Sequence, residues 1–388
     1  MKKLIAIAVV FILAVGVAFA ADVSVDVIGK LNLLQGDSKD GSKVQADGAM
    51  SRFRIEASGQ NEEGTFGAYG RFTTSSYGGE INAYGLAWWQ PHEIFKLTIG
   101  SNGDGLYDHL QGTSVWNFYQ MANEVGITVQ DYSNFGFRGA FFGGGGNGAY
   151  LELKPLETLQ IVAFIPFMEG GDAVNIYKQF IGQVTYNLSG IGTIGLTYRG
   201  STNEQMKYNE WGPLNSKLYG YFGLSAIENL SVDLGVGYMI PVTNEVEVGT
   251  KKVDETYSGP VAVGVAVNFT KGDLGIKARA QGQLGEKWVR GGSTTKGIMR
   301  FSADLLPSFA VTDTVTAYLD TGLAMTKAPE VTGSTTPDAV VGWHIMPYVS
   351  VKASWWAPNF FAGVRFWGDG GDDKITNWSI PLGITFSF

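Results

Sequence analysis

The sequence predicts an all-β chain, a closed antiparallel transmembrane barrel of about 16 to 20 strands, best counted at about 18 to 20. Three observations lead there. The last residues place Trp378, Ile380, Leu382, Ile384, Phe386 and Phe388 on one parity and Ser379, Pro381, Gly383, Thr385 and Ser387 on the other. Alternation by two sends the sets to opposite faces of a pleated strand, leaving an apolar face for lipid. The beginning carries Lys2 and Lys3, an apolar run over 4–17 and the small-residue stretch Ala18-Phe19-Ala20, the pattern of a removable secretory signal over 1–20. Finally, the 388 residues include 54 Gly, 10 Trp, 17 Tyr and 23 Phe, with no Cys and a mean hydropathy of only +0.03. No helical span follows the signal. A chain that crosses lipid without helices must pair its backbone groups between strands of a closed barrel.

The remaining 21–388 read as one meander. In 22–34, Val23, Val25, Val27, Leu31 and Leu33 alternate with Ser24, Asp26, Lys30 and Asn32. Next, Phe53, Ile55 and Ala57 alternate with Arg52, Arg54 and Glu56, and Phe66, Ala68 and Phe72 with Tyr69 and Arg71. Further candidate strands fall at 81–89, 95–101, 124–130, 135–142, 149–154, 159–167, 178–188, 193–199, 218–225 and 231–238. The series closes with 261–268, 274–281, 298–305, 315–323, 341–352, 360–367 and 378–388, and merging two pieces around 143–146 lowers the total by two. Short turns at 61–64, 90–92, 189–192 and 270–273 are expected on the periplasmic side. Long polar connections at 35–48, 102–123, 200–217, 241–256, 282–297 and 326–339 are expected outside.

Charge tests this orientation, because a basic residue facing lipid at the midplane costs ~2 to 4 kcal/mol. Lys30, Arg52, Arg54, Arg71, Lys96, Arg138, Lys154, Arg199, Lys277, Arg279, Arg300, Lys352 and Arg365 all fall on the inward parity, and only Lys178 falls outward. The clear inward acids are fewer: Asp26, Glu56, Glu152, Asp233, Asp304 and Asp320. The wall therefore reads as basic although the chain is acidic, at −8 formally and −10 without Lys2 and Lys3. An acidic chain argues against nucleic acid as a partner, while a basic bore favours anions.

The densest basic cluster is Arg52, Arg54 and Arg71. For Arg54 and Arg71 to share a face, the hairpin must pair positions whose numbers sum to an odd value, as when Arg71 stands opposite Arg52 or Arg54. Two readings are open, a basic half-ring at a constriction and an internal salt-bridge network with Glu56. The 102–123 connection carries Asp104, Tyr107, Asp108, His109 and Trp116. Folded inward it sets carboxylates against the arginines; left outside it is a surface loop.

The stretch from Ser51-Arg52-Phe53-Arg54 through Asn61-Glu62-Glu63-Gly64-Thr65-Phe66-Gly67-Ala68-Tyr69-Gly70-Arg71-Phe72, with the terminal aromatic, resembles the general bacterial outer-membrane porin family. The resemblance implies a basic wall at Arg52, Arg54 and Arg71 facing an inward third external loop, to which Asp104 and Asp108 correspond. It also implies a trimer of 16-stranded barrels, a count from which the candidates here depart, and the family's acidic-aromatic-glycine loop motif is not visible.

Nothing in the pattern suits catalysis, a metal or a cofactor. His92, His109 and His344 have no metal or triad spacing, and the glycines at 143–146 lack the lysine and hydroxyl of a phosphate loop. Asp369, Asp372 and Asp373 among glycines read as a solvated turn, with calcium as the other possibility. The expected function is an outer-membrane channel for passive diffusion of small hydrophilic solutes and ions with a mild anion preference. Its expected partners are outer-membrane lipid, those solutes and two further copies in a homotrimer. The competing reading is a surface adhesin or structural barrel whose lumen is filled by side chains such as Tyr69, Tyr84 and Trp88.

Overall fold

The structure is a computed structural model that describes residues 20–39, 47–74, 81–101, 147–167, 180–200, 216–297, 299–327, 330–331, 333, 338–353, 358–368 and 376–387. The described elements are all strands. They run β1 (Ala20–Asp37), β2 (Asp47–Gln60), β3 (Phe66–Thr74), β4 (Ile81–His92), β5 (Phe95–Ser101), β6 (Asn147–Leu156), β7 (Leu159–Pro166) and β8 (Ile181–Leu188). Next come β9 (Gly192–Arg199), β10 (Lys217–Ile227), β11 (Leu230–Met239), β12 (Val242–Val248), β13 (Lys251–Ser258), β14 (Val261–Lys271), β15 (Leu274–Leu284) and β16 (Lys287–Arg290). The last are β17 (Ser293–Lys296), β18 (Met299–Ala310), β19 (Val315–Lys327), β20 (Glu330–Val331), β21 (Ala339–Lys352), β22 (Asn359–Gly363), β23 (Arg365–Gly368) and β24 (Asn377–Ser387).

Nineteen strands form one antiparallel sheet, each beside its neighbour in the chain, and β24 returns to pair with β1 from Asp26↔Ser387 to Asp37↔Asn377. The sheet is thus closed. β22 and β23 lie end to end between β21 and β24 and count as one stave, which makes eighteen. Their break at Val364 has a local cause. Val364 N–H donates to the Pro347 carbonyl at 3.1 Å, but proline has no N–H to give back, so the ladder loses a rung there. The expected strands at 124–130 and 135–142 lie outside the described residues, and β5 pairs directly with β6 from Phe95↔Leu153 to Ser101↔Asn147, so no stave stands between them. That accounts for the difference between twenty candidates and eighteen staves. The even number leaves both ends of the barrel chain on the side of the short turns.

The lipid face follows the expected parity. Phe53, Leu196, Leu234, Val236, Val263, Leu305, Leu323, Ile345 and Val351 are all exposed on the outside. Aromatic residues gather at both ends of this band. Phe66, Trp89, Tyr186 and Phe309 lie toward the short turns, and Tyr198, Tyr238 and Phe301 toward the opposite rim. Ring-bearing side chains with one apolar and one polar aspect settle at the two water boundaries of a bilayer.

Short turns carry the expected chemistry. Gly272-Asp273 closes β14 on β15 through the pair Lys271↔Leu274, with Gly272 at φ 57°, the positive φ that a two-residue hairpin turn requires. At 90–92 the expectation is corrected, since β4 continues to His92 and turns at Glu93-Ile94.

The long connections are corrected too. Residues expected as polar loops at 241–256, 282–297 and 326–339 instead supply β12, β13, β16, β17 and β20, which pair in that order as a second antiparallel sheet. Its strands alternate Val, Thr and charged residues, a pattern that sheet pairing satisfies. The sheet is anchored where Tyr257 packs on Met239 and Trp288 and its hydroxyl donates to Glu286 at 2.8 Å. Burial, reinforced by the Glu286 carboxylate, pushes the Tyr257 phenol up, so it stays a donor throughout the physiological range.

Candidate functional site: the inner wall of the barrel

The inner wall is built by the second parity of every stave. Its densest basic feature lies on the β2–β3 hairpin. The hairpin turn is closed by Asn61 and Phe66: Asn61 N–H donates to the Phe66 carbonyl, Phe66 N–H donates to Asn61 Oδ1 at 2.8 Å, and Gly64 N–H donates to the Asn61 carbonyl. This closure sets the register, so that Arg71 stands opposite Glu56 and Arg54 opposite Thr73. The paired numbers sum to an odd value as expected, one two-residue step beyond the register that opposes Arg71 to Arg54 and two beyond the one that opposes it to Arg52. Glu56 consequently sits between two guanidiniums, 3.6 Å from Arg54 and 3.8 Å from Arg71. These ion pairs match the salt-bridge reading, an Arg–Glu–Arg group with a net charge of +1. Arg52 occupies β2 opposite Ile28, but its side chain lies outside what the structure describes. So do Arg138 and the loop residues Asp104, Tyr107 and Asp108, together with Asp369, Asp372, Asp373 and the 1–19 segment.

A second basic position follows around the wall. Lys96 on β5 stands opposite Glu152 on β6, and its ammonium lies 5.3 Å from the centroid of the Trp88 ring. Gln160 Nε2, on β7, donates to Glu152 at 3.1 Å. On the far arc, Arg279 Nη2 donates to Gln281 at 2.6 Å and stands opposite Asp304, while Lys277 two residues earlier is exposed. Arg365 is 1 % exposed, with its guanidinium 5.0 Å from the Trp367 ring. Lys217, expected in a loop, is the first residue of β10 and pairs with Arg199. The sequence signal was present, since Lys217 shares parity with Tyr219 and Tyr221, but the strand edge was placed one residue late.

The inner face is not uniformly polar. Tyr150, Phe164, Ile181, Tyr219, Tyr221, Met239, Ala262 and Ala266 form an apolar arc, and Leu306, Met346 and Tyr348 a smaller one. Glycines decide how these rings lie. A Cβ built on Gly67 would run into the Trp88 ring, on Gly148 into Phe164, on Gly195 into Tyr221, and on Gly235 into Tyr219. Each ring therefore lies across a neighbouring stave instead of standing into the bore. Gly195→Ala should cost about 1 to 3 kcal/mol through overpacking, read as earlier urea unfolding in lipid vesicles. Adding Tyr221→Ala should remove most of that specific penalty.

Sequence reading missed one pairing altogether. His344 on β21 and Asp320 on β19 are both buried, with His344 Nε2 3.1 Å from Asp320 Oδ1. Of the two, parity placed only Asp320 on the inner face, and only the β19–β21 register, with Asp320↔Met346 and Gly322↔His344, brings them together.

A closed barrel of eighteen staves with a charged, partly aromatic inner wall and an apolar belt has the fold of a porin-type transmembrane β-barrel. No family model matches the sequence, and no curated protein is similar to it. Solved structures share the fold over most of both chains. OccK11 (OpdR) of Pseudomonas aeruginosa is similar at a TM-score of 0.53 and 10 % identity, covering 95 % of this chain and 97 % of that one. A loop L8 deletion mutant of OmpT, an outer membrane protein of Vibrio cholerae, gives 0.51 and 14 % over 95 % and 99 %, and an anion-selective porin from Comamonas acidovorans gives 0.51 and 12 % over 95 % and 100 %. At these identities the likeness is one of fold, and at that level the resemblance expected from the first hairpin and the closing strand holds.

Proposed function

We propose that the chain, exported by its 1–20 segment, is an outer-membrane channel for passive diffusion of small hydrophilic solutes and ions, mildly favouring anions. The observation that carries this reading is the inner wall of a closed eighteen-stave barrel. Barrels of sixteen to eighteen strands are wide enough to leave an aqueous channel. Here Trp88, Phe164, Tyr219 and Tyr221 lie against glycines of the neighbouring staves. Charged groups on the same wall include the Arg54–Glu56–Arg71 group, Lys96, Lys277, and Arg279 and Arg365 together with Asp304 and Asp320, which leaves a basic excess that attracts anions into a bore with low-dielectric walls. The resemblance to porins adds a homotrimer as the expected assembly, which chemical cross-linking in native membranes tests.

Planar-bilayer recording on the refolded mature chain is the direct experiment. Stepwise conductance with a reversal potential on the anion side under a KCl gradient is the expected result. A complete lack of steps from a properly folded barrel would favour a surface or structural role instead.

A further inference from the structure

Resting on the channel reading, the geometry points to His344 as a pH-dependent selectivity determinant: an imidazole buried between two wall carboxylates, whose protonation adds a positive charge to the inner wall. We infer this from three placements. His344 Nε2 meets Asp320 Oδ1 at 3.1 Å, with the two side chains 1 % and 0 % exposed. On the other side of the ring, His344 faces Asp304 across Gly322. A Cβ at Gly322 would lie 2.5 Å from both Asp304 Oδ1 and His344 Cε1 and 3.1 Å from His344 Nδ1. Only a glycine lets the carboxylate and the imidazole share that space. Third, Asp320 Oδ2 is buried with no hydrogen-bond partner among the described residues, and the carboxylate meets His344 through its other oxygen.

The charged and titratable groups around the imidazole come from every neighbouring stave. They are Asp304 on β18 with Arg279 opposite it on β15, Asp320 and Tyr318 on β19, Tyr348 on β21 itself, and Arg365 on β23, whose Trp367 stands opposite His344. With a neutral imidazole and both carboxylates ionised, the carboxylates balance Arg279 and Arg365; each proton the cluster takes up, on the imidazole or on a carboxylate, adds one positive charge. Histidine is the side chain whose ordinary titration falls between about pH 5 and pH 8. Charge placed in a low-dielectric wall is felt across the adjoining bore with little screening. The other described histidine, His92, stands exposed at a turn and away from this cluster.

The test compares reversal potentials of the wild type, His344→Gln and His344→Arg from about pH 5 to pH 8, with folding checked by heat-modifiable gel mobility. In the wild type the chloride-to-potassium permeability ratio should rise by about twofold as the pH falls. His344→Gln should stay nearer the alkaline value and His344→Arg nearer the acid value, each changing by less than half as much as the wild type, and Asp304→Asn in the same background should remove the change that is left. Either folded variant is sufficient should the other fail to assemble. A folded variant that kept the wild-type pH dependence would overturn the assignment, as would a wild type that conducts with pH-independent selectivity. Failure to conduct at any pH would instead count against the channel reading on which the inference rests.

Discussion

Replacing Arg54 and Arg71 together by Gln should turn the ion preference of the channel toward cations. The register leaves Glu56 between the two guanidiniums, so the double replacement changes the group from a net +1 to a net −1. Two unit charges near contact distance interact by about 1 kcal/mol in bulk water. An ion passing this group therefore sees its local concentration change by several-fold. Reversal potentials should be measured at about 0.1 M salt or below, where the screening length is still about 10 Å. Glu56→Gln should move the ratio the other way, because it leaves both guanidiniums uncompensated. Equal reversal potentials for all three proteins would remove this hairpin from the selectivity mechanism. The pairs themselves are partly exposed and contribute little to folding, so a change in conduction without a change in stability is the expected signature.

How far the sequence could be read depended on whether a feature is local. Parity is local, and Phe53, Leu234 and Val351 face outward as their alternation requires. The existence of Arg54, Glu56 and Arg71 on one inner face was legible for the same reason. Their exact opposition was not, because the register is set by how Asn61 closes its turn, and a slip of two residues preserves every face. The pairing of His344 with Asp320 depends on the same kind of register between β19 and β21, whose connection is long and fixes nothing in advance. The outer sheet escaped detection because its strands are short and charged. Val, Thr and charged residues alternating outside the membrane look like a solvated loop until a second hairpin arrives to pair with the first, as Tyr257↔Trp288 does. Glycine was the least legible signal. In composition it suggests flexibility, yet at Gly67, Gly195 and Gly322 it is the space into which a neighbouring side chain fits.

Whether the apolar parity truly meets lipid is tested most strongly by a charge placed on it. Leu234 stands midway along β11, 45 % exposed on the outer face, beside Phe222 and Val265 on the flanking staves. Leu234→Arg should destabilise the barrel in vesicles by ~2 to 4 kcal/mol, the cost of a basic residue near the bilayer midplane. Ser58→Arg puts the same side chain on the inner parity of β2, opposite Tyr69, where water and Glu56 are within reach. It should stay within about 0.5 kcal/mol of the wild type. In detergent micelles, which deform around a guanidinium more readily than a bilayer does, the gap between the two variants should narrow. The comparison separates lipid exposure from simple overpacking, because a steric penalty at position 234 would persist in both environments. An unfolding midpoint for Leu234→Arg equal to that of Ser58→Arg in bilayers would mean that the outer face does not contact hydrocarbon, and the barrel could not then span a membrane in the orientation its alternation dictates.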